Sequence, residues 1–307
     1  MNMESNWMRW ILVCSISFIL SVSCGAAYYA DDYPYGPYRE GKLEPQISGW
    51  PLTEAERDFV LKPEHDRRPG RETNKHLPSM WPVVPSAGNW GGTSWLDTHS
   101  KLVDYIQANQ GPLDILLVGD SITQQWGSPL DTGSPNASWK KEFKSLKTLN
   151  IGIGGDKTQN VLWRLEHGGV DGIEPRVILL MIGNNNMFFT PETGTSAAAQ
   201  GIAMCGKTLR RKFPKSQIIV AKILPAHEPG TRFYEDIRKT NTDLDSLRLE
   251  DDPKLSVLDL WSEFTHADGT LKKELFTPDS IHLSIDGYRV YAERLRPLIN
   301  LPARDVD

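Results

Sequence analysis

Cysteine is scarce in this 307-residue sequence, and its placement limits what it can do. Of the three cysteines, Cys14 and Cys24 lie in an apolar N-terminal stretch, and only Cys205 lies in the remainder of the chain. A fold held together by disulfides is therefore excluded. The seven histidines form neither an HxH nor an HxxxH pattern, which argues against a zinc site. The sequence predicts no bound metal and no cofactor.

Runs of like charge and long apolar runs are also missing. The formal net charge of −5 is spread along the chain, which argues against a nucleic-acid-binding surface and provides no polybasic patch for a membrane. The apolar stretch at residues 10–22 is interrupted by serines and is shorter than the roughly 18 to 20 residues of a bilayer-spanning helix. We therefore expect neither nucleic acid nor a stable membrane span.

The same N-terminal stretch has the layout of a secretory signal. Arg9 precedes the apolar residues and small residues follow them, so we expect cleavage after Ala26 or Ala27. Residues 1–27 are assigned to this signal, which predicts a secreted or periplasmic protein. Lipid attachment at Cys24 is the less favoured alternative, because the leucine that a lipobox requires is one place out of position.

Two further regions follow the signal. Residues 28–91 are rich in proline and tyrosine, and we expect an irregular extension that lies on the main domain. Residues 92–302 alternate helical patterns with short apolar runs, at residues 115–118, 148–151, 177–182, 218–223 and 256–260. Strands that are apolar on both faces and separated by helices predict an α/β fold, a doubly wound parallel sheet of about five strands. Its ligand site should lie beyond the carboxyl ends of the strands.

The residues that follow the first two apolar runs suit such a site. Gly119, Asp120 and Ser121 follow the first run, where a serine hydroxyl would open the next helix beside free backbone N–H groups. The structural alternative, a serine that merely caps a helix, stays open for this feature alone. The second run ends in a glycine-rich loop at residues 150–156 that matches neither a dinucleotide fingerprint nor a phosphate loop. A nucleotide-dependent enzyme is therefore disfavoured.

The third strand end supplies amides, and the segment just before the last helix supplies a histidine. Three asparagines at residues 184–186 follow the third run, and an amide N–H there could face a developing oxyanion or serve an ordinary loop. Asp279 precedes His282 by three residues, so its carboxylate can hold the imidazole in the tautomer that accepts a proton from Ser121. His266 follows Glu263 by the same spacing and is the competing histidine. The four features in this order favour a serine hydrolase.

These motifs resemble those of the GDSL/SGNH hydrolases. Gly119 to Ser121 is similar to their first block, Gly155 to the glycine of the second, Asn185 to the asparagine of the third, and Asp279 with His282 to the fifth. The stretch NIGIGGDKTQNVLWRLEHG at residues 150–168 looks like the catalytic subunits of intracellular platelet-activating factor acetylhydrolases.

The resemblance implies a flavodoxin-like SGNH hydrolase fold and a metal-free ester hydrolysis. It assigns catalysis to Ser121, Asp279 and His282, and an oxyanion hole to the backbone N–H groups of Ser121 and Gly155 with the side-chain amide of Asn185. It also places Asp120, Ile122 and Asn184 among substrate-binding residues.

The natural substrate is less determined than the reaction. Asn184 stands where the similar acetylhydrolases carry threonine, and the predicted export contrasts with their intracellular setting, so a phospholipid is disfavoured. We expect a small acyl ester, acetyl above all, of a small molecule or a polysaccharide. An O-acetyltransferase with the same residues and a non-catalytic carbohydrate-binding module remain the alternatives, and the sequence leaves the oligomeric state open.

Overall fold

A computed structural model describes residues 95–130, 138–143, 145–189 and 194–299. The predicted signal at residues 1–27, with Cys24, and the predicted extension at residues 28–91 lie outside the described residues. The predicted domain at residues 92–302 is described from Trp95 onward, apart from its gaps and its last residues. Within the described part, no helix has both the length and the apolar composition needed to cross a bilayer.

The described chain contains five β-strands, each close to one of the apolar runs in the sequence. They are β1 Gly111–Gly119, β2 Thr148–Asn150, β3 Ile173–Met181, β4 Gln217–Ala221 and β5 Leu255–Leu258. All neighbouring strands pair in parallel, in the order β2-β1-β3-β4-β5. This order is that of flavodoxin-like sheets, and the predicted doubly wound sheet of about five strands is confirmed.

Eight α-helices connect and flank these strands in the described part of the chain. They are α1 Trp95–Ala108, α2 Ser121–Gln125, α3 Trp139–Glu142, α4 Thr158–Glu166, α5 Thr195–Lys212, α6 Arg232–Ser246, α7 Trp261–Phe264 and α8 Ile285–Leu295. A six-residue 3₁₀ helix, Asn184–Phe189, follows β3. Shorter 3₁₀ turns lie at Leu249–Asp251, Lys273–Leu275 and Arg296–Leu298.

Side chains of each strand alternate between two cores, one on each face of the sheet. In β1, Leu116 and Val118 face the core shared with α1, α4, α5 and α6, while Ile115 and Leu117 face the core shared with α2, α3 and α8. The strands are therefore buried on both sides, as parallel strands require. The loops that carry the predicted site residues follow the carboxyl ends of these strands or precede α8.

Two helices are shorter than their patterns predict. A helix is expected over residues 138–146, but α3 ends at Glu142 after a single turn. The final helix is expected to reach residue 300, but α8 ends at Leu295 and gives way to a 3₁₀ turn. Pro297 explains the second difference, because it lacks an N–H and its ring clashes with the helical carbonyl four residues earlier.

Candidate active site

The candidate nucleophile lies at the turn between β1 and α2. Gly119 ends the strand, and a Cβ there would lie 2.1 Å from Thr123 Oγ1 and 2.3 Å from the Met181 carbonyl oxygen. Only glycine fits this position, so the chain can turn sharply and begin α2 at Ser121. The Asp120 side chain caps the helix, since its Oδ1 accepts the Ile122 N–H at 3.0 Å. The half-buried Ser121 hydroxyl is thereby presented at the carboxyl edge of the sheet.

His282 and Asp279 meet this hydroxyl from the loop before α8. Ser121 Oγ lies 2.8 Å from His282 Nε2, although the two residues are 161 positions apart in the sequence. On the other side of the ring, His282 Nδ1 lies 2.6 Å from Asp279 Oδ2. With Nδ1–H donating to the carboxylate, Nε2 is left to accept the proton of the serine hydroxyl. The three side chains thus form a continuous hydrogen-bonded chain from carboxylate to hydroxyl.

Hydrogen bonds fix the Asp279 carboxylate in its charged form. Partial burial alone would raise its pKa, but donors on His282, Ile281 and Thr277 outweigh that effect and hold the pKa well below its usual range. The Thr277 hydroxyl donates to Asp279 Oδ1 at 2.7 Å, and the Ile281 and His282 N–H groups donate to the same oxygen at 2.9 Å. The carboxylate therefore stays ionised beside the imidazole over the whole neutral range.

The backbone of this loop is held as firmly as its side chains. Ser280 has a φ of 58°, in the left-handed region that serine rarely occupies. Its carbonyl oxygen accepts the N–H of His227, from the loop after β4, at 3.2 Å. The Thr277 N–H donates to the His282 carbonyl at 2.8 Å, which closes the loop on itself. These contacts fix the direction in which the imidazole points.

Three candidate donors face the same end of the sheet. Gly155, in the loop after β2, has a φ of 79°, a conformation that favours glycine. No described residue accepts the backbone N–H of Gly155 or of Ser121. Asn185 Nδ2 donates one hydrogen to the Asp156 carbonyl at 2.9 Å, and the amide carries a second. The segments that carry the three predicted oxyanion donors are therefore adjacent.

Two buried carboxylates lie beneath these donors. Burial raises the pKa of Asp120 to about 7, and the nearby charge of Asp156 adds to this effect. Burial also raises the pKa of Asp156, to about 6, although Arg164 and the indole N–H of Trp95 oppose it. Asp120 Oδ2 has no hydrogen-bond partner among the described residues. The turn that carries Ser121 is therefore capped by the Asp120 carboxyl group, whose burial disfavours the ionised form.

The predicted substrate-binding residues are placed in different ways. Asp120 is 1% exposed and caps α2, and Ile122 is 3% exposed and packs in the core beneath α8. Substrate binding by Asp120 and Ile122 stays a prediction. Asn184 is buried at the first position of the 3₁₀ helix, next to Asn185. Substrate binding by Asn184 stays a prediction.

The competing histidine lies elsewhere on the surface. His266 is exposed and lines a depression of about 370 Å³ together with Trp261 and Thr265. The Ser121 hydroxyl has His282 as its imidazole partner. In the part of the chain that the structure describes, no three His, Cys, Asp or Glu side chains converge so as to hold a metal ion.

Sequence reasoning missed several residues that support the site. The side chains of Asp156, Arg164 and Trp95 form a buried cluster under the candidate donors, and Thr277 binds the Asp279 carboxylate. No pattern in the sequence pointed to Arg164, because at helical spacing it falls beside Asn160 and away from Leu162 and Leu165. The partner of this arginine could not be deduced, because the pairing depends on how the preceding loop folds.

Comparisons with known proteins identify the family of this chain. Residues 117–290 match the model of the GDSL-like lipase/acylhydrolase family, and this range includes every candidate catalytic residue. Platelet-activating factor acetylhydrolase IB subunit alpha2 of Rattus norvegicus is 32% identical over 213 residues, which cover 68% of this chain and 85% of the relative. Subunit alpha1 of Bos taurus is 30% identical over 209 residues, which cover 68% and 84%.

A solved structure shares the fold. The GDSL-like lipase of Bacteroides thetaiotaomicron VPI-5482 superposes with a TM-score of 0.52 at 18% identity, over 66% of this chain and 96% of that one. At this identity the likeness concerns the sheet and its helices alone.

Proposed function

Because the chain belongs to the GDSL-like lipase/acylhydrolase family and is a carboxylic ester hydrolase, we propose that it cleaves small acyl esters through an acyl-enzyme on Ser121. The observation that carries this proposal is the 2.8 Å contact between Ser121 Oγ and His282 Nε2. A hydroxyl is a weak nucleophile until an adjacent base takes its proton, and the imidazole is in hydrogen-bonding distance to do so.

In the first half-reaction, His282 Nε2 takes the hydroxyl proton as Ser121 Oγ attacks the ester carbonyl carbon. Asp279 stabilises the imidazolium that forms, and the proton then passes from Nε2 to the leaving alcohol oxygen. The carbon–oxygen bond to the alcohol breaks and the acyl group remains on Ser121. The ionised state of Asp279, maintained by its four donors, is the state that this step needs.

In the second half-reaction, His282 takes a proton from water, which attacks the acyl carbon and releases the acid from Ser121. Both tetrahedral intermediates carry negative charge on the former carbonyl oxygen. The Ser121 and Gly155 N–H groups and the second hydrogen of Asn185 are the donors assigned to that oxygen. Preformed donors of this kind contribute most when they need no rearrangement during the reaction.

A short acyl group is supported by two observations. The relatives above 30% identity are named acetylhydrolases, and the structure places the polar Asn184 side chain in a buried position beside Asn185. The family resemblance places Asn184 near the acyl group, and a polar amide there disfavours a long hydrocarbon chain, which offers it no hydrogen bond. We therefore place acetyl esters first.

We further propose that the alcohol part of the ester is a carbohydrate and that the protein acts outside the cell. Both proposals rest on the signal-like residues 1–27 rather than on the described structure. N-terminal sequencing of the mature protein tests the setting, with a new N-terminus after Ala26 or Ala27 expected. An intact N-terminus on protein recovered from inside the cells would contradict it and would weaken the choice of a polysaccharide.

The enzymatic test compares the parent with Ser121→Ala and with His266→Ala. We expect the parent to cleave p-nitrophenyl acetate faster than longer esters and to release acetate from acetylated polysaccharides. Ser121→Ala should lose activity by several orders of magnitude, because no acyl-enzyme can form. His266→Ala is the matched histidine control and should keep the parental kcat.

Two readouts separate the hydrolase from its rivals. Mass spectrometry of a quenched reaction should find an acetyl group on the peptide that contains Ser121. If added sugar accelerates use of the acetyl donor while suppressing free acetate, the protein is a transferase instead. Equal activity of Ser121→Ala and the parent would eliminate the proposed acyl-enzyme on Ser121. If neither exceeds the uncatalysed rate, a carbohydrate-binding module is the alternative.

A further inference from the structure

A buried ion pair lies directly beneath the candidate oxyanion hole. Arg164, on α4, places Nε 2.7 Å from Asp156 Oδ2, and neither side chain is exposed to solvent. The same guanidinium donates from Nη2 to the Gly119 carbonyl at 3.0 Å. The indole N–H of Trp95 donates to the other oxygen of Asp156 at 2.6 Å. One arginine thus holds both a carboxylate and a backbone carbonyl.

This pair contacts each of the three segments that supply the candidate donors. Gly119 is two residues before Ser121, and Asp156 directly follows Gly155. The third segment is reached through the Asp156 carbonyl, which accepts the Asn185 amide at 2.9 Å. The loops after β1, β2 and β3 are therefore connected through two buried side chains and the backbone carbonyl of Asp156.

Stability alone does not account for the pair. Removing two charges from water costs several kcal/mol per ion, and apolar replacements of buried pairs are often as stable or more so. Here the third guanidinium nitrogen, Nη1, has no hydrogen-bond partner among the described residues, which adds to the cost. What a buried guanidinium offers instead is a planar fork that fixes two acceptors at set directions and distances.

We propose that Arg164 and Asp156 are positioning residues that set the relative placement of the Ser121, Gly155 and Asn185 donors. The inference rests on the proposed hydrolase function. Neither side chain touches the substrate, and each acts through the backbone carbonyl of Gly119 or Asp156. The pair should therefore affect the turnover step, where donor geometry matters, far more than ground-state binding of the ester.

The matched variants are Arg164→Lys and Arg210→Lys. Arg210 makes the same pair of contacts, Nε to Asp252 Oδ2 at 2.9 Å and Nη1 to the Pro214 carbonyl at 2.9 Å, before the amino ends of β4 and β5. Lysine keeps the charge, but its single nitrogen cannot reproduce the two fixed directions of the fork. Arg164→Lys should lower kcat for p-nitrophenyl acetate by about 10- to 100-fold with little change in KM. Arg210→Lys should keep the parental kcat.

Titration of Ser121 with a fluorophosphonate counts the folded sites, and thermal unfolding measures stability separately. A lower melting temperature with an unchanged kcat per labelled site would overturn the proposal and leave a structural pair. Should Arg164→Lys fail to fold, Trp95→Phe removes the indole N–H that Asp156 Oδ1 accepts, together with part of the ring system that packs on His99 and Trp163, and should still lower kcat per site. An unchanged kcat in that variant would equally overturn the proposal.

A double-mutant cycle with Asn185→Ala supplies a readout that a purely structural role would not change. If Arg164 acts partly through Asn185, Arg164→Lys should cost less in the Asn185→Ala background than in the parent. Equal costs in the two backgrounds would contradict the proposed route. Failure of the fluorophosphonate to label the parent would instead contradict the proposed function itself, and the positioning role with it.

Discussion

The two edges of the sheet use the same polar residue types for opposite purposes. At the amino edge, Asp114 is 4% exposed, accepts the Lys147 N–H at 2.7 Å and pairs with Arg176 at 3.4 Å. The Ser216 hydroxyl there donates to the Pro175 carbonyl. These polar groups satisfy one another or the backbone.

At the carboxyl edge, donors remain without an acceptor. Among the described residues, the N–H groups of Ser121 and Gly155 have no acceptor. The Asn185 side-chain amide donates only one of its two hydrogens there, to the Asp156 carbonyl oxygen. Buried or partly buried donors are normally paired, because an unpaired group costs about 1 to 3 kcal/mol. The two edges therefore differ in their unpaired donors. These donors distinguish the proposed functional edge of the sheet more specifically than the presence of polar residues does.

The largest effect that tests this comparison is expected from Asp279→Asn. The amide cannot hold the His282 imidazole in the same tautomer, so kcat should fall by roughly 10³- to 10⁴-fold, as for the corresponding change in serine proteases. Initial rates with p-nitrophenyl acetate measure it. Asp268→Asn is the control, because Asp268 also accepts a threonine hydroxyl and an N–H in a turn, at 2.6 and 3.0 Å, but outside the candidate site. Comparable losses in both variants would refute the assignment.

Asn185→Ala should have the next largest effect. Loss of one oxyanion donor costs about 10²- to 10³-fold in kcat, while KM changes little. The neighbouring Asn186 gives a contrast within the same turn, since it accepts the Thr158 N–H at 3.1 Å and donates to its hydroxyl at 3.0 Å. Asn186→Ala should lower the free energy of unfolding by about 1 to 3 kcal/mol and leave most of the kcat per labelled site. A reversed pattern would mean that Asn186 supplies the donor.

The contrast between Asn185 and Asn186 also shows how much of the site could be predicted from the sequence. The asparagines at residues 184–186 could be predicted to lie at a strand end, because the apolar run before them is a clear strand. The site residues at the other strand ends were predictable for the same reason, as was their edge of the sheet. Which of the asparagines faces the oxyanion came from the family resemblance, since spacing does not specify the rotation of a 3₁₀ helix.

Supporting contacts were less predictable than the site they support. The Arg164 to Asp156 pair joins α4 to a glycine-rich loop whose path depends on positive φ values at Gly155. The predicted helix at residues 138–146 was too long because its pattern continues beyond Glu142, where local propensity gives way to packing of Phe143 against Trp126 and Trp139. Tertiary contacts decided both outcomes, and periodicity carries no information about them.

A smaller effect should appear in the pH dependence of stability. The pKa of Asp120 is raised to about 7 in the folded protein, against an ordinary value of 3.8. Between about pH 4 and pH 7 the folded protein retains a proton that the unfolded chain has released. This group therefore makes the free energy of unfolding fall as pH rises, by up to ~1.4 kcal/mol per pH unit.

Asp120→Asn should remove that contribution. Asparagine resembles the neutral acid and can still cap α2 through its side-chain oxygen. Denaturant unfolding at pH 5, 6, 7 and 8 measures the difference, and the variant should be the more stable protein at the upper end of this range. If parent and variant lose stability with the same slope, the buried carboxyl is not the group that titrates.

The smallest effect is expected from Asp114→Asn at the amino edge. Rotation of the new amide lets its oxygen keep the Lys147 N–H, and the partly exposed pair with Arg176 is lost, at 30% and 6% side-chain exposure. Such pairs contribute about 0.2 to 1 kcal/mol to stability. The kcat with p-nitrophenyl acetate should stay within about twofold of the parent, because donors at the opposite edge keep their positions through contacts that do not involve Asp114. A larger fall in kcat at unchanged stability would mean that the two edges are coupled through the sheet, and the division between a structural edge and a functional one would no longer hold.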